Sequence, residues 1–160
     1  MPSAHLSQPH FRRVCARFAT GVTIVTVADS KGAPHGITVN SFTSVSLAPP
    51  MILICLDHRA RILKHFHHGA HFGVNVLHEQ QRDLSVRFAR AAEDHFEGVE
   101  WRPGHNGTPV MSGVLASLEC HVSRIVEGGD HSIVIAEVLQ AAAHDGPPLI
   151  YFNSGYQALR

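Results

Sequence analysis

Runs of β-branched residues follow one another along this chain with turn residues between them, and that order constrains the fold more than any other feature. Val22–Val27 reads as a strand, and Asp29-Ser30-Lys31-Gly32 as a turn. Strand patterns resume at His35–Asn40 and Thr43–Leu47. Ala48-Pro49-Pro50 interrupts them, and Met51–Leu56 reads as a strand buried on both faces. Phe72–Leu77 follows, then two long patterns, Val114–Val126 and Ser132–Ala143, around Gly128-Gly129, and a last short run at Leu149–Phe152. Parallel neighbours need a crossover of a dozen or more residues, and most of these connections are shorter. The order predicts about seven strands in an antiparallel sheet, closed or partly closed.

Three helices complete the reading. Pro9 opens the first, with Phe11, Val14, Cys15, Phe18 and Ala19 on one apolar face, and Gly21 ends it. Arg59–Phe66 and Glu79–Ala92 are the other two, and residues 93–113 read mostly as loop. At 160 residues the chain makes one domain, 1–160, with residues 1–8 expected as a flexible tail.

Composition then removes whole classes of function. Thirteen basic residues balance thirteen acidic ones, which argues against nucleic acid as a partner. The longest apolar run, Met51–Leu56, is far short of the about 20 residues of a membrane span. No apolar stretch near the N-terminus reads as a signal peptide. Cys15, Cys55 and Cys120 are odd in number and widely spaced, so three reduced thiols in a cytoplasmic protein are expected. The glycine-rich phosphate loops, the doubly wound dinucleotide fingerprint and the serine-hydrolase elbow are missing from the sequence.

Four stretches, in order and with matching spacing, resemble the short-chain flavin reductases, the small components of two-component flavin-dependent monooxygenases acting on phenols and hydroxyphenylacetate. They are Arg17–Thr26, Gly36–Pro50, Gly129-Asp130-His131 and Leu149–Tyr156, with Val74–Leu77 and Arg87-Phe88-Ala89 in support. The resemblance implies a mainly β fold with a few helices: an antiparallel Greek-key split barrel that binds flavin, usually as a homodimer. It implies hydride transfer from NADH or NADPH to FAD or FMN and delivery of reduced flavin to a partner monooxygenase. It carries flavin contacts to Thr38, Val39, Asn40, Ser41, Ser46, Cys55, the segment Asp57, His58, Arg59, Ala60 and Arg61, and then Phe88 and Ala89. Nicotinamide contacts carry to His131 and, more loosely, to Ser154, Gly155 and Tyr156.

The residue types agree with that chemistry. In hydride transfer the cofactors react, and the protein supplies orientation and electrostatics. Residues 36–46 offer small side chains, hydroxyls and backbone amides, although an ordinary hairpin with polar outward residues has the same composition. Arg59 and Arg61 are suited to phosphate oxygens, or to a solvated helix start. Ala60 stands where many relatives carry Ser, and Ala136 where relatives commonly carry Gly. Gly128-Gly129 lets the backbone turn sharply and present His131, whose alternative is a surface turn histidine. Phe88 ends an apolar helix stripe, which is usually core, and Cys55 reads as packing and not as a redox thiol. Tyr156 reads as a cover for nicotinamide or as an interface residue.

Two rival functions stand beside the reductase. One is a flavin carrier or sensor of the same fold without turnover. The other is a metal protein using His65, His67, His68 and His71, out of fourteen histidines. Gly69 breaks the helix that would align His67 with His71, so no metal site is expected. His35 and His58 lie beside the flavin segments.

Overall fold

The computed structural model describes residues 5–92 and 94–159. Helix α1 (Gln8–Cys15) opens on Ser7, whose hydroxyl accepts from the His10 amide. Twelve strands follow in chain order. They are β1 (Thr20–Gly21), β2 (Thr23–Ala28), β3 (Pro34–Val39), β4 (Phe42–Leu47), β5 (Pro50–Asp57) and β6 (His71–Val76). Helix α2 (Arg82–Phe88) comes next, then β7 (Trp101–Pro103), β8 (Pro109–Met111), β9 (Ala116–Gly128), β10 (His131–Ala143), β11 (Ile150–Phe152) and β12 (Gly155–Gln157). Two 3-10 turns, Arg61–His65 and Glu79–Gln81, precede β6 and α2.

Seven strands form the main sheet in the order β3-β2-β6-β9-β10-β5-β4, every neighbour antiparallel. β3 and β4 lie at opposite edges of that sheet, yet only Asn40 and Ser41 separate them in the chain. Laid flat, the two edges would stand about 29 Å apart, while a two-residue connection spans about 11 Å. The sheet therefore has to curl until its edges meet. At the β3–β4 corner the Ser41 hydroxyl donates to the Cys55 carbonyl (2.8 Å) and accepts from the Cys55 amide (3.1 Å). The side chain thus carries the β4–β5 pairing one position past the Phe42–Ile54 pair and anchors the corner to β5.

Inside the barrel lie Val25, Val27, Ile52, Ile54, Leu56, Phe72, Val74, Val122 and Val134. A second cluster, Val22, Ile24, Leu77, Phe88, Met111, Val114 and Leu149, fills the space beneath α2 and the small β1-β11-β12 sheet.

The antiparallel, mainly β reading holds, with corrections in detail. β5 alternates: Ile52, Ile54 and Leu56 are buried, while Met51, Leu53 and Cys55 are half-exposed at the barrel's outer face, so it is not buried on both faces. Arg59–Phe66 forms only a 3-10 turn, and Glu79–Ala92 shortens to a 3-10 turn followed by α2. Residues 93–113 contain the hairpin β7–β8. The first helix stops at Cys15, before Phe18 and Ala19, and none of its residues is buried. The tail expected over 1–8 falls partly on residues 1–4, which lie outside the described residues, and Gln8 already belongs to α1.

Candidate active site

A cavity of about 480 Å³ opens at the free edge of β3, between that strand, the loop after β5 and the end of α2. Pro34–Ile37, Arg59–Ile62, Lys64, His65 and Phe88–Ala92 line it, with His95 and Phe96. This volume lies within the range of small-molecule sites, about 300–1,000 Å³. Its apolar floor is Phe88, 1% exposed. Gly36 permits the close approach of β3 and α2: a Cβ there would stand 2.7 Å from the Phe88 ring.

From that cavity β3 runs on to Thr38, Val39, Asn40 and Ser41. The hydroxyls expected to face a ligand are engaged by the fold. Thr38 Oγ1 donates to the Ser85 carbonyl (2.6 Å), tying β3 to α2, and Ser41 anchors the β3–β4 corner to β5. Because β3 is an edge strand, alternate backbone amides along it have no ladder partner. These amides are the polar groups it offers to the cavity side. Asn40 is exposed and Ser46 half-buried on β4. The Cys55 thiol is pushed up by desolvation, as a packing residue's would be.

β5 and β10 bring together two segments that the sequence separates widely. Asp57 pairs with His131 in the ladder, and the His58 amide donates to the Asp130 carbonyl (3.0 Å). The β9–β10 hairpin turns on Gly129 (φ +70°) and Asp130, as a two-residue loop requires. His131 Nδ1 lies 2.7 Å from Asp130 Oδ1, and His58 Nε2 lies 2.9 Å from Glu127 Oε2. Hydrogen bonding from His131 holds the Asp130 carboxyl below the usual range. An ionised carboxylate only accepts, so His131 Nδ1 carries the proton, which in the neutral ring leaves Nε2 as the acceptor. The Asp57 carboxyl is held far down by Arg59, which gives it a backbone bond and two guanidinium bonds, at 2.8 and 3.1 Å. Arg59 is therefore turned back on its own loop.

Tyr156 belongs to a different group. Its hydroxyl lies 2.7 Å from Ser85 Oγ, and Arg82 covers its ring at 5.4 Å, within the second cluster. Ser154 and Asn153 form the β11–β12 turn, both at positive φ. His131 and Tyr156 thus stand on different strands, β10 and β12.

Sequence reasoning passed over Lys64, Arg90, His95 and Phe96, and read His65 only as part of a histidine run. The run disperses in space: His65 stacks on His35 (centroids 5.0 Å, 25°), His67 Nδ1 meets the His68 carbonyl, and His71 faces His121. Among the described residues no group of three or more His, Cys, Asp or Glu is placed to hold a metal ion.

The cavity fits a flavin nucleotide on its own residues. Arg59, Arg61, Lys64 and Arg90 line it and no carboxylate does, which suits phosphate. Aromatic rings and free strand amides border it, and His65 Nε2 is buried without a protein partner.

The family model for the flavin reductase like domain matches residues 15–160. A Rhizobium meliloti protein named "Probable flavin reductase" is 46% identical over 139 residues, 87% of this chain and 45% of its own length. The Agrobacterium fabrum FMN reductase (NADH) SmoA is 38% identical over 162 residues, 98% of this chain and 92% of its own. The Streptomyces globisporus NADH:FAD oxidoreductase SgcE6, solved with NAD and FAD fragments, superposes with a TM-score of 0.89 at 37% identity, covering 98% of both chains. The chain spans 45% and 64% of the length of the two curated relatives first matched, and 85% or more of several others.

Proposed function

From the premise that this chain belongs to the flavin reductase like domain family, we propose that it is an NAD(P)H-dependent flavin reductase that supplies reduced FAD or FMN to a partner monooxygenase. The observation that carries the reading is the meeting of β3, the Asp57–Arg61 loop and His131 beside a cation-lined cavity. When bound, flavin supplies the acceptor for a hydride delivered by the reduced nicotinamide.

The residues divide the work by place. Backbone groups of Thr38, Val39, Asn40 and Ser41, with Ser46, Cys55, Asp57 and His58, form the ring end. Ala60 and Arg61 stand at the phosphate end, where the guanidinium of Arg61 takes the place of the hydroxyl that Ala60 lacks, the Ala60 amide being spent on the Asp57 carbonyl. Arg59 locks the loop through Asp57, and Phe88 and Ala89 support the far wall. His131 Nε2 accepts an N–H from the nicotinamide carboxamide while Asp130 holds the ring's tautomer. Ser154, Gly155 and Tyr156 border the nicotinamide from the small sheet.

No helix among the described residues is long and apolar enough to cross a membrane. A reducing, cytoplasmic setting is supported by three free cysteines. A homodimer is supported by apolar side chains left uncovered in one chain: Phe11, Val14 and Phe18 (79% exposed) around α1, and Leu47 (93%) on β4. Light scattering is expected to give twice the chain mass, and Phe18→Glu to shift it toward one.

A steady-state matrix of NADH and NADPH against FMN, FAD and riboflavin tests the activity. Oxidation of a nicotinamide only when flavin is added supports it. Bound flavin without oxidation would make the chain a carrier or sensor instead. His131→Ala is expected to raise the nicotinamide KM several-fold, and unchanged KM and kcat would remove His131 from the site.

A further inference from the structure

We propose that Glu119 is a positioning residue: its buried carboxylate docks the β7–β8 hairpin on the main sheet, and through Trp101 that hairpin sets the cavity wall at Phe96. This rests on the flavin-binding reading above, in which Glu119 has no part. The hairpin is a two-stranded sheet separate from the seven-stranded one. Side chains of three neighbouring strands seat it. Thr26, Gly73 and Glu119 stand side by side across β2, β6 and β9. Gly73 leaves the seat open, since a Cβ there would stand 2.6 Å from Thr26 Oγ1 and 2.9 Å from Thr108 Cγ2. Thr26 Oγ1 donates to the Pro109 carbonyl (2.6 Å), and the Met111 amide donates to Asn75 Oδ1 (2.9 Å), so both fix β8. Glu119 holds the tip. Its Oε1 accepts from the His105 amide (2.7 Å), and its Oε2 lies 3.0 Å from His105 Nδ1. Gly104 makes room for it, because a Cβ there would collide with the carboxylate. Glu119 is only 6% exposed, and a buried carboxylate needs partners that compensate its lost water. Here those partners belong to the hairpin tip.

What the clasp holds reaches the cavity. Trp101 pairs with Met111 across the hairpin, and its ring lies 5.9 Å from Phe96 at 70°. Phe96 lines the cavity and meets Phe88, the floor, edge-on at 4.9 Å. The loop between α2 and β7 is fixed at both ends: by Arg87, which donates to the Glu97 carbonyl (2.8 Å), and by Trp101 beyond it. A hairpin freed at its tip tilts on β8, and Trp101 then carries Phe96 off the floor. Glu119 itself does not line the cavity, so its effect passes through these contacts.

Trp101 is the chain's one tryptophan, so its emission reports the hairpin directly. Emission of the flavin-free full chain, and its equilibrium titration with FMN and FAD, test the proposal. Glu119→Ala is expected to shift Trp101 emission to longer wavelength and to weaken flavin binding about three- to tenfold, the range for coupling through packed neighbours. Glu119→Gln is expected to restore both, because its amide oxygen accepts from the His105 amide and its NH2 donates to Nδ1. Gly104→Ala breaks the same contact from the hairpin side. It is expected to repeat the Glu119→Ala result, and it carries the test where Glu119→Ala does not fold. On a Phe96→Ala background, Glu119→Ala is expected to cost under about twofold more, since the wall it positions is already gone. Unchanged flavin affinity in Glu119→Ala or Gly104→Ala, a Glu119→Gln loss as large as that of Glu119→Ala, or losses that multiply in the double variant would overturn the positioning role and leave the reductase reading standing. A wild-type chain that binds neither flavin would overturn that reading and the positioning role with it.

Discussion

At the ring end of the proposed site, Thr38 and Ser41 turn their hydroxyls to the carbonyls of Ser85 and Cys55. At the far end, His35, Lys64, His65 and Arg90 line the cavity. The first group holds the walls together, and the second borders the space a ligand would enter. Small hydroxyl residues look like ligand contacts in a sequence, yet their short reach makes them better at bridging strands. Long cations reach past the backbone and do little for the fold. Replacing a residue at the ring end should therefore cost stability, and replacing one at the far end should cost affinity.

The largest expected break is at the floor that both ends share. Phe88→Ala removes a buried ring between β3 and α2, and should lower unfolding stability by about 3–5 kcal/mol, read from the urea midpoint. At the ring end, Ser41→Ala leaves the Cys55 amide and carbonyl without their hydroxyl partner. It should cost about 1–3 kcal/mol, and Ser41→Thr should recover part of it in the same assay. Unchanged stability in Ser41→Ala together with weakened flavin binding would reverse the assignment and make Ser41 a ligand contact. At the far end, Lys64→Ala should change stability by no more than about 0.5 kcal/mol but weaken flavin nucleotide binding several-fold. That loss should shrink as ionic strength rises, as expected of a solvent-exposed charge.

Acid sharpens the contrast least, because none of the carboxylates concerned is buried. Hydrogen bonding from His35 and two amides lowers the Asp29 carboxyl from 3.8 to about 2. Arg59 and His131 lower Asp57 and Asp130. A carboxyl with a lower pKa folded than unfolded stabilises above its unfolded pKa and loses that contribution as pH falls through the folded one. Stability should therefore decline between about pH 4 and pH 2. Asp29→Asn should flatten part of that decline and loosen the His35 stack, whereas Asp57→Asn should flatten it while freeing Arg59. Thermal melts across this window distinguish the two.

Local chemistry was readable wherever a residue acts on its chain neighbours. Gly128-Gly129-Asp130 marked a hairpin because a two-residue turn needs positive φ, and Gly129 supplies it at +70°. The alternation and β-branching of 22–27, 72–77, 114–126 and 132–143 marked strands, since side-chain period follows from backbone geometry. The run Met51–Leu56 misled, because an unbroken apolar string looks the same whether both faces are covered or one is half-open. Helix lengths misled too: Glu79–Ala92 has helical spacing, but the helix ends at Phe88.

The site divides in the same way. The amino-acid order by itself determined an antiparallel sheet, the sharp turn before His131 and the segments carrying the family resemblance, since each depends on neighbours along the chain. Only the tertiary structure decided that two residues between β3 and β4 curl the sheet shut and that Ser41 anchors that corner to Cys55. It alone set His131 beside Asp57, and His65 on His35 instead of beside His67. Those outcomes depend on which edges meet when the sheet curls. Strand register sets that meeting through contacts tens of residues apart, which spacing along the chain does not encode.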